Sequence, residues 1–180
     1  MRRAMQAAAL AALFSGCLLA SCTHHADPAE LAAVQRLIQD TDSMNAEING
    51  QNNAALRHMG ALFEAERPAI EQRFRDTLLP HEAEVLGNYY RAMNERLPAV
   101  LETRRMEQAR LDSTAQRLRN LRHDMEQGLM GKALRGQALA KEQQWNARLR
   151  QDLDSINVHT GALIRDRKNY RAAIDNQLHP

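Results

Sequence analysis

The stretch QALAKEQQWNARLRQDLDSINVHTGALIRDRKNYRAAIDNQL, residues 137–178, decides the fold class. Within it Leu139, Leu149, Leu153, Ile156, Thr160, Leu163, Tyr170 and Ile174 are separated by three, four, seven or ten residues, the spacing that aligns side chains along one stripe of an α-helix. About forty residues at 1.5 Å each make a rod of roughly 60 Å. A helix of that length with a single apolar stripe needs other helices to cover it.

The upstream chain supplies them. Gly128 to Gly136 contains three glycines in nine residues and reads as a loop, with Gly128 as a helix C-cap. Before it, Pro98 to Gln127 places Leu101, Leu111, Ala115, Leu118 and Met125 on one stripe. Pro68 and Pro80 open the preceding pieces, which carry Ile70, Phe74 and Leu78, then Val85, Leu86, Tyr89, Tyr90 and Met93. Proline has no N–H for the helical ladder and restricts the residue before it, so each of these prolines predicts a restart or a kink.

The first segment starts at Asp27-Pro28-Ala29-Glu30, with Asp27 as cap, Pro28 in the first helical position and Glu30 near the positive end of the dipole. Its stripe runs through Leu31, Val34, Ile38, Thr41, Ile48, Ala55, Met59 and Leu62 and includes Asn45 and Asn52. Two readings of Asn49-Gly50-Gln51-Asn52-Asn53 stay open: buried asparagines that fix register in a coiled-coil seam, or a break in the helix. The fold predicted is all-α, an elongated antiparallel helical bundle or coiled-coil hairpins of about four long segments, some kinked by proline, over residues 28–180. Four segments running up and down put the Gly128 loop at the pole away from the N-terminus and bring Arg165, Arg167, Lys168 and Arg171 back to the starting end. The loop's own arginines and lysines would then share a mixed-charge tip with Glu64, Glu66 and Glu71.

The chain begins differently. Met1-Arg2-Arg3 is basic, Ala4 to Ala20 is an apolar run broken by Gln6 and Ser15-Gly16, and Leu19-Ala20-Ser21-Cys22 follows. An apolar core of about 14 residues is short of the roughly 20 that span a bilayer and has the form of a secretory signal. Leu19-Ala20-Ser21-Cys22 resembles the lipobox of bacterial lipoprotein precursors, with Phe14-Ser15-Gly16-Cys17 a poorer match. The resemblance covers residues 1–22. It implies a signal peptide over 1–21, lipidation of Cys22, and a short tether over 22–27 ahead of the helical domain. Two or three acyl chains, at about 0.8 kcal/mol per buried CH₂, hold a protein on a membrane. In that family Asp after the cysteine retains the protein at the inner membrane. Thr23 stands here, which implies the periplasmic face of the outer membrane.

Composition excludes several functions once residues 1–21 are set aside. The 24 basic residues fall to 22 with the loss of Arg2 and Arg3, against 22 acidic ones, and the resulting balance does not describe a nucleic-acid binder. Residues 23–100 carry 7 basic and 12 acidic side chains and residues 101–180 carry 15 and 10, so the two halves suit packing on each other. Cys17 and Cys22 are the two cysteines. Downstream of Cys22 no thiol remains for a disulfide, a metal or a nucleophile.

Site motifs are weak. His24-His25, and His81 with Glu82 and Glu84, fall short of the three or four convergent ligands of a metal centre. His58, His123 and His159 lie on separate segments without a Glu-x-x-His pattern. Met44, Met59, Met93, Met106, Met125 and Met130 are spaced as core fillers, and Tyr89, Tyr90, Trp145 and Tyr170 as packing anchors. No nucleophile elbow, phosphate loop or paired cysteine set occurs. The sequence therefore assigns no catalytic, cofactor-binding or metal residue, and Cys22 alone as a modified site. It is read as a non-enzymatic, lipid-anchored envelope scaffold or interaction protein whose partner is an envelope protein or a second copy. The alternative is a chaperone-like or ligand- or metal-sensing helical binding module of the periplasm.

Overall fold

A computed structural model describes residues 25–50 and 52–178. The expected signal peptide, Cys22 and His24 lie outside these residues. The elements are α1 (Pro28–Ile48), α2 (Asn52–Arg73), α3 (Pro80–Arg91), a π-helical turn (Ala92–Arg96), α4 (Leu97–Glu126) and α5 (Lys132–Leu178). All the regular structure among the described residues is helical.

The helices form three long limbs rather than about four. α1 and α2 make the first, α3 through α4 the second without interruption, and α5 the third. The second runs antiparallel to the first: Gln108 Nε2 donates to Asn45 Oδ1 at 2.9 Å, Arg122 to Gln35 at 2.6 Å, and the Tyr89 hydroxyl to Glu66 at 2.9 Å. α5 runs parallel to the first limb. Arg135 pairs with Glu30, Asn146 with Thr41 and Arg171 with Glu66, each 105 residues apart, a whole number of heptads. The 47 residues of α5 span roughly 70 Å.

The corrections concern where the chain turns. Pro68 lies inside α2 and Pro98 at the start of α4, and neither divides a limb. Both prolines are exposed, on the side where a helix bends most easily because its solvent-facing hydrogen bonds lengthen. Beside Pro98 the ladder adjusts further: the Leu97 N–H donates to Ala92 O, five residues back, which takes up one extra residue ahead of the proline ring. The limbs are instead joined at Phe74–Leu79 and at Gln127–Gly131. The second joint is tighter than the nine-residue loop expected, and Gly136 already belongs to α5.

Local sequence accounts for the ends. Asp27 Oδ1 accepts from the Ala29 N–H at 2.8 Å while the Asp27 N–H donates to Glu30 Oε2 at 3.2 Å, a reciprocal cap behind Pro28. Gly128 has φ of 65°. There the Leu129 N–H reaches Asp124 O at 2.9 Å and the Gly128 N–H reaches Met125 O at 3.2 Å, the Schellman closure that glycine permits without strain.

The core is a row of apolar clusters. Val34, Leu37, Ile38, Leu118, Leu121 and Met125 fill the end near Asp27. Met44, Ile48, Leu111, Leu149 and Leu153 fill the middle. Phe63, Ile70, Leu86, Tyr89, Leu163 and Ile174 anchor the far end. Each such side chain stabilises the fold by about 1.5–3 kcal/mol on burial. Along α5 the buried residues Glu142, Asn146, Leu149, Leu153, Ile156, Thr160 and Leu163 keep an unbroken four-three spacing.

The first limb does not keep it. Among the described residues the next buried one after Ile48 is Leu56, eight positions on, because α1 ends at Asn49-Gly50. Ala55 is therefore exposed and Leu62 only half-buried, while Leu56 and Phe63 take the core positions. The break reading of this segment is the one the structure adopts.

Candidate interaction surface and buried polar layers

Polar side chains interrupt the core at two levels. Between the first and second clusters, Thr41 Oγ1 donates to Leu37 O at 2.8 Å and accepts from Asn146 Nδ2 at 3.1 Å. One turn away Glu142, nearly buried, takes a bidentate pair from Arg117 at 2.6 and 2.9 Å. That carboxylate raises the pKa of Arg117 by hydrogen bonding. Satisfied buried polar pairs admit one alignment of the helices and so fix register.

The second level lies at the helix break. Arg104, 4 % exposed, donates through Nε to Asn53 Oδ1 at 2.9 Å and through Nη2 to Ile48 O. Its Nη1, Glu107 Oε1 and Thr160 Oγ1 are buried without hydrogen-bond partners. Burial lowers the pKa of Arg104 and raises that of Glu107, each toward its neutral form. Glu107 keeps one contact, from Arg110 Nη1 to Oε2 at 3.2 Å.

A third tie closes the far pole. Fully buried Tyr89 donates to Glu66, which also pairs with Arg171, itself forked onto Asp175. Burial first, and the Glu66 carboxylate second, push the Tyr89 phenol up to about 12.

These ties set the topology of charge. Glu30, Asp42, Glu47 and Glu66 of the first limb each meet an arginine of the second or third. The mixed-charge tip expected at one pole is not formed. Arg135 and the Gly128 turn lie beside Glu30 at the N-terminal end, whereas Glu66 and Arg171 share the opposite pole. Three limbs instead of four reverse the end at which the C-terminal arginines emerge.

The histidines do not converge. His25, His58, His81, His123 and His159 are all exposed, and His159 Nδ1 is engaged by Ser155 O at 2.7 Å. Glu82 caps α3 by accepting from the Leu79 N–H at 2.9 Å. Among the described residues no three His, Cys, Asp or Glu side chains are grouped to hold a metal ion. Met44, Met59, Met93 and Met125 fill the core, but Met106 is 51 % exposed.

Trp145 departs from the anchoring role its size suggested. It stands 43 % exposed on α5 with the Arg148 guanidinium 5.7 Å from its ring centroid. It lines an open trough of about 570 Å³ between α4 and α5, together with Arg110, Arg117 and Arg148. The stripe that identifies a helix core is blind to this feature, because Trp145 sits off it. Its signal in the sequence is a tryptophan followed by arginine one turn later.

Comparison of the chain with protein-family models, curated proteins and solved structures returns no match.

Proposed function

We propose that the chain is a lipid-anchored helical scaffold or interaction protein of the bacterial cell envelope, held on the periplasmic face of the outer membrane as an accessory subunit of a larger assembly. The observation that carries this reading is Leu19-Ala20-Ser21-Cys22 at the end of a short apolar run. Attachment is then through acyl chains on Cys22. No helix among the described residues is long and apolar enough to cross a membrane.

The geometry supports a spacer. Asp27 lies five residues beyond Cys22, so in this reading the N-terminal pole and the Gly128 turn sit against the lipid. The Tyr89–Glu66–Arg171 pole stands roughly 60 Å out. The unbroken four-three burial along α5 supports packing of the limbs as a three-stranded coiled coil. Buried Arg104 and Glu142 and half-buried Glu66 tie limb to limb, which suits a structural role rather than catalysis.

Fractionation of cells expressing the full chain tests the anchor. The wild-type chain is expected in the outer-membrane fraction, and Cys22→Ser in the soluble periplasmic or precursor pool. Equal membrane association of both would overturn the reading.

A further inference from the structure

We infer, resting on the reading of the chain as a lipid-anchored protein, that the turn over residues 128–134 is a second membrane contact. Leu129 and Leu134 enter the surface of the same bilayer that holds the acyl chains of Cys22.

Exposure comes first. Leu129 in the turn is 69 % exposed, and Leu134 in the first turn of α5 is 59 % exposed. In a Schellman closure the residue after the glycine commonly packs back on an apolar side chain three or four positions before the C-cap. Those positions hold Asp124 and His123, so Leu129 has no apolar seat on its own helix and turns outward. Leu134 precedes buried Arg135 by one residue, which rotates it about 100° away from the core-facing stripe. Half-buried Met130 lies between the two leucines in the chain and packs on the cluster of Val34 and Leu118, which fixes the turn to the end of the rod.

The tether decides what covers these leucines. Ala26 packs on the same cluster as Met130, and Glu30, one turn further on, pairs with Arg135 at 2.9 Å. Ala26 lies four residues after Cys22, a span of at most about 14 Å. With Cys22 in the lipid, the turn is held against the bilayer surface. Phe74 and Leu79 are also exposed, but they belong to the joint at the opposite pole, roughly 60 Å along the rod and beyond the reach of the tether. Two leucines are too little apolar surface to hold a free protein on a membrane. At a pole that is already tethered, each leucine that enters the lipid favours the docked state by about ten-fold or more.

Charge does not select the partner. Glu30 pairs with Arg135 and Glu126 with Arg122, which leaves Lys132 against Asp27 and Asp124 and little net charge at this pole. The contact is therefore apolar and does not require anionic headgroups.

Fluorescence from single tryptophans tests the contact. The acylated full chain carrying Trp145→Phe is reconstituted in phosphatidylcholine vesicles with brominated acyl chains. Leu129→Trp and Leu134→Trp report on the turn, and Leu79→Trp at the far pole and Val158→Trp, an exposed position on α5, serve as controls. Emission from positions 129 and 134 is expected to shift to the blue and to be quenched by bromine, with neither effect at 79 or 158. Adding Leu134→Glu to Leu129→Trp should lower the quenching, with helical circular dichroism unchanged. Water-like emission from position 129 or 134 would overturn the inference, as would equal quenching at 79 and 158. A blue shift without quenching would overturn it too, because protein and not lipid would then cover the turn. The mass of the N-terminal peptide keeps the two readings apart. Absent quenching in a chain acylated at Cys22 counts against the turn alone, whereas a chain without acyl groups there overturns both.

Discussion

Arg104 of α4 donates to the backbone carbonyl of Ile48, the last residue of α1, so the break in the first limb is closed by a cation from the second. A helix C-terminus presents unpaired carbonyls and a partial negative charge. Arg104 answers both and also holds Asn53 at the start of α2.

Arg104→Ala is expected to destabilise the chain by about 1–3 kcal/mol, the cost of leaving Asn53 Oδ1 without its donor and Ile48 O with Asn53 Nδ2 in place of a cation. Urea unfolding should show a lower midpoint, and hydrogen exchange should quicken first across residues 48–56. A variant as stable as wild type, with unchanged exchange there, would show that the clamp is dispensable.

The eight-residue step from Ile48 to Leu56 carries its own consequence. Leu56→Ala is expected to cost about 2–5 kcal/mol as a core truncation, whereas Ala55→Ser should fall within about 0.5 kcal/mol of wild type. The reverse order would restore the uninterrupted stripe through Ala55 and Leu62.

That step marks the limit of what the sequence makes legible. In α5 the heptad spacing is uninterrupted, and Leu149, Leu153, Ile156, Leu163 and Ile174 are buried where their periodicity places them. Asp27-Pro28 and Gly128 likewise act through local geometry alone, and the structure forms both caps. Pro68 misled because a proline's penalty depends on the face it occupies, which no local pattern reveals, whereas α4 does begin beside Pro98. Arg104, Glu107, Arg135 and Glu142 occupy core positions as charged residues, and an apolar stripe cannot register them. Their partners lie 25 residues or more away in the chain for Arg104, Arg135 and Glu142, so pairing emerges only once the limbs are aligned. Trp145 was visible as a residue but not as a surface, since exposure follows from which helix pair is left uncovered.

Tyr89 gives an alkaline signature. Its folded pKa of about 12 exceeds the ordinary 10.0, so the folded state holds the proton more tightly. The associated stability is complete below about pH 10 and is lost as pH rises through 10 to 12. Absorbance of phenolate should show Tyr89 ionising near 12 in the native chain, and Tyr89→Phe should lose that late step. Ionisation of Tyr89 near 10 in a chain that remains folded would contradict the Glu66 tie.

Glu107 carries the same sign in the carboxylate range. Burial raises its pKa, so the folded state favours its protonated form, and this group's contribution to stability declines as pH rises through the carboxylate range. Glu107→Gln should be relatively more stable than wild type at pH 7, and the difference should shrink toward pH 4. Urea midpoints at the two pH values measure it, and a constant difference would place Glu107 in solvent.

The central claim is that the rod hangs from Cys22. The direct measurement is the mass of the N-terminal peptide of the full chain recovered from membranes. The account predicts a peptide beginning at Cys22 and carrying a diacylglyceryl thioether with an acylated amine. A mature chain that begins elsewhere, or an unmodified Cys22, would contradict it.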